Sequence, residues 1–303
     1  LNMYNSAEFQ VFRYRKDDAT SLSNNRVKSI VFDDKNNLWV GTEEGLNLFI
    51  SNTSRFKRFY CDSSEKKELF TNNINTLFPY NDKIFLGTDK GLKILDTAKN
   101  SFIHFPVIGL DGPDIKNVAA IMKDSRNNIW VGTESGLLYY NKNFKLITTF
   151  PGIDKIAWGN SIVEDSRKNI WVCTNNGVYK ITNKNTGNYK YYPSVKNQIT
   201  TKNTSYSGCA EDENSNLWLA SGAGLHMVDN QDNWTNFTAG RAYGNLNDNY
   251  IRSVFFDRQG NMWVGTDAGG INLYYKHRKK FKYLSVYQEE GKRLLSNKTK
   301  GVY

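Results

Sequence analysis

The tract LWVGT at residues 38–42 recurs as IFLGT (84–88), IWVGT (129–133), IWVCT (170–174), LWLAS (217–221) and MWVGT (262–266). Successive copies start 46, 45, 41, 47 and 45 residues apart, which is the period of a four-stranded propeller blade. One supersecondary unit is therefore copied six times. Around the second copy, residues 74–80, 84–88, 92–96 and 102–105 read as four short strands, A to D, separated by Asn, Asp and Gly. Apolar runs of that length between tight-turn residues are what antiparallel hairpins require, and no helical periodicity competes with them. The expected fold is all-β, a β-propeller of four-stranded antiparallel blades.

Each strand has its own grammar. Strand A usually closes on an Asp (Asp33, Asp124, Asp165, Asp212, Asp257) whose carboxylate can bond the backbone of the turn that follows. Asp212, Asn214 and Asn216 have the spacing of a calcium loop, but Ala223 stands at the twelfth position and the turn recurs without that ligand set; turn chemistry is expected there, and no metal. Strand B carries Trp39, Trp130, Trp171, Trp218 and Trp263, with Phe85 in the second unit; a large aromatic once per blade fills the wedge between splayed sheets. Gly41 with Thr42, and Gly132 with Thr133, predict close backbone approach and a hydroxyl contact between blades. Cys173 replaces that Gly in the fourth unit, and Ala220 with Ser221 replaces the pair in the fifth, so both blades are expected to be slightly displaced. Lys57, Arg58, Lys190 and Lys282 on strand D suit an edge that must discourage pairing.

The ends are ragged. Residues 9–14 (FQVFRY) match strand D with no earlier strand, and residues 298–303 match strand A. The expectation is a single propeller over residues 1–303 with six complete blades plus the outer and inner strands of a seventh, residues 276–303 forming a basic terminal strand and the start of that next blade.

A chain of 303 residues, 39% hydrophobic and 14% aromatic, can bury a large core, and no segment approaches the ~18 apolar residues of a membrane span. Its formal charge of +10 is uneven: residues 276–303 hold nine Lys or Arg against Glu289 and Glu290. Because the excess sits in one terminal segment and not on a stripe interleaved with stacking aromatics, no nucleic-acid partner is expected. Cys61, Cys173 and Cys209 have neither zinc nor disulfide-framework spacing. Leu1 to Ser6 is polar and does not read as a signal peptide; for an exported protein the signal is expected outside this sequence.

Assembled as an asparagine-led strand, a D-turn-N, [LI]WVGT and a GL that opens the next strand, the repeat resembles the two-component regulator propeller family. WD40 and kelch dipeptides do not recur. The resemblance covers all six units and implies the periplasmic sensor region of a Bacteroidetes-type hybrid histidine kinase that detects glycan-derived oligosaccharides, with the membrane span and kinase outside this sequence. It further implies, as partners, an oligosaccharide, other blades and the kinase region of the same polypeptide, and a second copy of the chain. No cofactor is expected.

The B to C turns are short and uniform, whereas the D to A connections vary: 61–73, 106–117, 151–160, 193–206, 238–249 and 285–297. Variable loops on a rigid scaffold are where recognition concentrates. Lys155 with Trp158, and Arg241 with Tyr243, pair a cation with an aromatic face and are the leading ligand-binding candidates; Lys202 and Tyr206 follow. Trp158 either stacks on a sugar or plugs the short fourth connection. Asp111 and Asp114 suit an amine or hydroxyl, or form a plain turn. A propeller lyase or hydrolase, and a protein-docking scaffold, are the alternatives. The three histidines, His104, His226 and His277, lie away from the variable loops and do not converge as an acid and base must. Glu43, Glu44, Asp89, Glu134 and Asp267 on the B to C turns are the carboxylates a glycosidase-like pair would draw on.

Overall fold

The computed structural model describes residues 1–4, 8–60, 72–106, 117–153, 156–157, 161–184, 187–193, 205–240, 245–276, 280–285, 294 and 299. All its named elements are strands. A hairpin joins β1 (Asn2–Tyr4) to β2 (Phe9–Val11), and six four-stranded antiparallel sheets follow, each in chain order. The first is β3 (Val27–Phe32), β4 (Leu38–Thr42), β5 (Gly45–Ile50) and β6 (Arg55–Phe59); the second is β7 (Ile74–Tyr80), β8 (Lys83–Thr88), β9 (Gly91–Asp96) and β10 (Ser101–Phe105). The third is β11 (Val118–Lys123), β12 (Ile129–Thr133), β13 (Gly136–Tyr140) and β14 (Leu146–Phe150). The fourth is β15 (Ile162–Glu164), β16 (Ile170–Cys173), β17 (Gly177–Asn183) and β18 (Asn188–Pro193). The fifth is β19 (Tyr206–Glu211), β20 (Leu217–Ser221), β21 (Gly224–Val228) and β22 (Trp234–Phe237); the sixth is β23 (Ile251–Phe256), β24 (Met262–Thr266), β25 (Ile271–Tyr275) and β26 (Lys280–Leu284). These are propeller blades, strands A to D in each.

Two compact units carry them. One contains Leu1 and Phe12–Gly159, with the first three blades; the other contains Asn2–Val11 and Asn160–Tyr303, with the last three and the β1–β2 hairpin. Burial falls from strand B outward: every residue of β4 is buried, but only Phe56 in β6. In the first unit, Trp39 and Leu46 of blade 1 close on Ile74, Leu77, Ile84 and Leu86 of blade 2, and Phe85 and Ile94 of blade 2 close on Val118 and Val131 of blade 3. In the second, Trp171 and Val178 meet Cys209 and Leu219 across blades 4 and 5. Each fully buried Leu or Ile contributes about 1.5–3 kcal/mol relative to exposure, so the wedges between blades are where apolar burial concentrates.

Close approach is met at the strand B glycines. A Cβ on Gly87 would come within 2.5 Å of Thr76 and 2.8 Å of Val118 in the next blade. Blade 4 has Cys173 at this position, against Cys209 of blade 5, whose equivalent in blade 2 is Leu77; both are buried and neither forms a disulfide. The smaller partner makes room for the larger insert. Strands β19 and β20 keep the register of blades 1, 2, 3 and 6, bulge included, so Ala220 and Ser221 leave the pairing within blade 5 unchanged.

Three other expectations are corrected. Phe9–Val11 does have an earlier partner: β1 pairs with it antiparallel, and Tyr4 reaches Trp263 with ring centroids 6.1 Å apart. The Thr hydroxyl of strand B serves its own turn and not the next blade, because Thr42, Thr88, Thr133, Thr174 and Thr266 each donate to the carbonyl of the Gly that begins strand C or directly precedes it. Arg58 is no edge charge: its guanidinium donates to the carbonyls of Asp18, Ser21 and Leu22 at 2.7–2.9 Å and fastens that segment along strand D. Residues 298–303, read as a further strand A, lie outside the described residues except Thr299. Its N–H donates to Thr266 O at 2.8 Å, the bond by which Tyr206, opening the strand A of blade 5, joins Thr174 at 3.0 Å. Among the described residues Ser253 Oγ is buried without a partner; it is equivalent to Ser29 Oγ, which accepts the N–H of Leu77 from the next blade.

Candidate functional site

At one end of each blade the B to C turn lies beside the connection that enters strand A. The turn is locked from within. Thr133 Oγ1 donates to Gly136 O at 2.8 Å and accepts the N–H of Ser135 at 3.2 Å, and Gly136 adopts φ 143°, left-handed backbone that favours glycine. Ser221 performs the same task in blade 5, bonding Gly224 O at 2.8 Å. The turns then bond the residue before strand A of their own blade, Glu43 N to Arg26 O and Asp267 N to Tyr250 O. This end is thus a fixed frame on which the D to A connections are hung.

Strand A meets the frame through a bulge. In blades 1, 2, 3, 5 and 6 the register slips between its first and third residues, so one side chain per blade is re-aimed: Lys28, Asn75, Ala119, Ser207 and Arg252. Lys28 Nζ donates to Asn73 Oδ1 at 2.8 Å and Asn75 Oδ1 at 3.2 Å, and Asn75 Nδ2 passes the chain to Val118 O at 3.3 Å. In the second unit Ser207 Oγ reaches Ile251 O at 3.0 Å. In blades 1, 2 and 5 the bulged residue therefore ties neighbouring innermost strands together.

The residue two places after the turn glycine lies toward the same end and varies among blades: Asn47, Lys93, Leu138, Tyr179, His226 and Asn272. Asn47 and Asn272 clamp the incoming connection, accepting the N–H of Ser23 at 2.8 Å and of Asn247 at 3.1 Å. Lys93, fully buried, bonds Lys90 O at 3.2 Å and His104 Nδ1. His226 lies against Ser221 Oγ at 3.0 Å, and burial pushes its pKa down to about 4.

The carboxylates are engaged. Glu43 pairs with Arg26 at 3.0 Å and Lys28 at 3.9 Å, and Asp267 with Arg252 at 2.9 Å. Burial works against ionisation of Asp33, Asp257 and Asp232, but hydrogen bonds outweigh it and hold all three below the usual carboxylate range, Asp232 at about 2. A general acid needs the opposite shift, and among the described carboxylates with a resolved shift none is raised.

Of the sequence candidates, Lys155, Trp158, Lys202, Arg241 and Tyr243 lie outside the described residues, as do His277, Asp111 and Asp114. Tyr206 is described, and it is not a loop residue: it opens β19, is 1% exposed and packs on His226 with centroids 5.5 Å apart. Burial, reinforced by Cys173, pushes its phenol up. Tyr206 is a core residue in this structure. Asp212 accepts the N–H groups of Asn214 and Asn216, each at 2.9 Å, so its calcium-like spacing is turn chemistry. The Asn47 and Asn272 clamps were missed in the sequence, although a lone Asn inside an apolar strand was the available signal.

Parts of the repeat match a known family profile. The sequence profile of the family described as "Two component regulator propeller" matches residues 21–44, 112–135 and 245–268, each running from the entry to strand A through the B to C turn. Histidine kinase P4 of Formosa agariphila is 30% identical over 140 residues, covering 44% of this chain and 10% of that protein. The extracellular domain of the hybrid two component system BT3049 from B. thetaiotaomicron superposes with a TM-score of 0.74 at 21% identity, over 92% of this chain and 37% of that one. Virginiamycin B lyase from Staphylococcus aureus shares the fold at a TM-score of 0.64 and 12% identity, over 87% of this chain and 85% of its own. The chain matches only 10% of the length of that histidine kinase and covers 37% of the BT3049 extracellular domain.

Proposed function

Taking the chain as an array of two-component regulator propeller repeats, we propose that it is the extracytoplasmic sensor propeller, or part of one, of a hybrid two-component system. In this reading it binds a glycan-derived oligosaccharide or similar polar ligand on its D to A connections without transforming it. The signal passes to a histidine kinase elsewhere in the same polypeptide, across a membrane from the periplasm. The observation that carries the reading is the frame itself. Six turns fixed by the same hydroxyl-to-carbonyl bond present connections of unequal length and composition, the arrangement in which recognition is varied while the scaffold is kept. The family match and the likeness to an extracellular domain of a hybrid two component system support the role.

The lyase likeness supports an enzyme reading only through the fold, which hosts many chemistries. Against it stand the ion-paired Glu43 and Asp267 and the buried, neutral His226.

Ligand binding to the folded state raises the thermal midpoint by mass action. The test is a thermal-shift panel of neutral and acidic oligosaccharides on the chain, repeated with Trp158→Ala and Arg241→Ala. A shift for one glycan class that disappears in both variants supports the reading. A shift that survives both places the ligand elsewhere.

A further inference from the structure

Two wedges, one in each unit, are built from equivalent positions and end differently. Between blades 4 and 5, Trp171 stacks on Tyr192 with centroids 5.7 Å apart and lies under Lys180 Nζ at 4.9 Å. Asp232, from the turn between β21 and β22, closes this wedge. It accepts from Lys180 at 2.6 Å, Tyr192 at 2.9 Å and Lys190 at 3.3 Å.

Strand register identifies the counterparts between blades 1 and 2. Lys190 opposes Lys180 and Tyr192 opposes Val178, as Lys57 opposes Leu48 and Phe59 opposes Leu46. Asp232 and Asn100 each precede by two residues the strand D aromatic paired with the fifth residue of strand C, and both adopt left-handed φ, 63° and 52°. Blade 2 thus has a neutral Asn100 where blade 5 has Asp232. Lys57 keeps its place over an aromatic ring, Phe59 at 4.9 Å, yet among the described residues no carboxylate pairs with it. The wedge stays open as a cleft of about 580 Å³, walled by Trp39, Leu48, Phe59 and Ile84, within the size range of small-ligand sites.

We propose that this cleft, at the opposite end of the blades from the D to A connections, is a second binding site and that it takes a hexuronate. The ligand carboxylate occupies the place that Asp232 fills in the other wedge and pairs with Lys57. Its hydroxyls answer the rest of the rim, where the Asn81 and Asn100 amides and the carboxylates of Asp34 and Asp82 lie. Asp82 is already neutralised by Lys35 at 2.8 Å, and Asp33 is saturated by its turn and by Trp39. A ligand with a carboxylate but no hydroxyl donors would leave Asp34 and the outer oxygen of Asp82 facing it unanswered, which disfavours a simple acid. This inference does not depend on the loop-face reading.

The test is saturation-transfer NMR titration of the chain with digalacturonate, galactobiose and glutamyl-glutamate. Digalacturonate alone is expected to bind. Asn100→Asp, which supplies the carboxylate internally, should weaken it by about tenfold or more and raise the thermal midpoint; Lys57→Met should weaken it similarly. Asp232→Asn, Trp158→Ala and Arg241→Ala should leave it unchanged, which separates this site from the loop face. Equal binding of galactobiose or of the dipeptide, undiminished binding in Asn100→Asp, or no binding of digalacturonate up to about 10 mM each overturns the proposal.

Discussion

Asp33 accepts the indole N–H of Trp39 through Oδ2 at 2.9 Å, six residues along the chain. The pair recurs as Asp124 with Trp130 at 3.2 Å, Asp165 with Trp171 at 2.8 Å, and Asp212 with Trp218 and Asp257 with Trp263, each at 2.9 Å. One carboxylate therefore folds the A to B turn through Oδ1 and orients the tryptophan of the wedge through Oδ2. Blade 2 has Phe85 in place of Trp and a two-residue turn in place of the Asp turn; Phe85 stacks flat on Phe144 at 4.8 Å instead. Aspartate and tryptophan are lost together because each is the partner of the other.

Removing one partner of that bond should cost more than removing both. Asp165→Ala leaves the N–H of a nearly fully buried Trp171 unpaired and is expected to destabilise by about 1–3 kcal/mol. The double variant with Trp171→Phe should show a coupling energy in urea unfolding, where independent losses would simply add.

The B to C hydroxyl can be tested by isosteric replacement. Thr133→Val removes the bond to Gly136 O and strands the Ser135 N–H, and should lower stability by about 1–2 kcal/mol. Thr133→Ser should be near neutral, since Ser221 holds the same turn in blade 5. Denaturant midpoints distinguish the two.

Gly87→Ala should be worse than an ordinary surface change, because its Cβ would meet Val118 Cγ1 at 2.8 Å and Val118 O at 2.9 Å. Overpacking of this kind costs about 1–3 kcal/mol. Gly187→Ala, with nothing within 4 Å but φ 71°, carries backbone strain alone and should cost less. Paired thermal melts decide the order.

Two groups give the fold a pH dependence with worked signs. His226 is held neutral, its pKa lowered to about 4 from 6.5. The unfolded chain therefore binds the extra proton first, and stability falls as pH drops from about 6.5 toward 4. Asp232, lowered to about 2 from 3.8, contributes stability that is present above pH 3.8 and lost as pH falls through about 2. His226→Asn, which copies Asn47 and Asn272 at the equivalent position, should flatten the upper window; Asp232→Asn should flatten the lower one. Unfolding free energies measured from pH 7 to 2 check both.

The blade recurrence, the strand identities and the Asp turns were legible because six copies at one period expose any position with a fixed task. The direction of the Thr bond does not follow from residue type alone, although Thr42, Thr88, Thr133 and Thr174 each stand three residues before a Gly, the spacing at which a hydroxyl reaches its own turn. Tyr206 falls in a loop on a two-residue alternation because the bulge beside Gly208 adds a residue to strand A that such an alternation cannot show. The cleft beside Lys57 was invisible for a different reason. Its difference from the other wedge rests on Asn100 against Asp232, residues of turns unequal in length, which become equivalent only once strand register is known.

We propose that this propeller binds a glycan and returns it unchanged. The most direct measurement is calorimetric titration with the oligosaccharide that gives the largest thermal shift, followed by mass spectrometry of the sugar recovered from the same cell. Saturable binding lost in Trp158→Ala, with the ligand recovered intact, is the predicted result. Cleaved or unsaturated products that accumulate with time would contradict it and make the chain an enzyme.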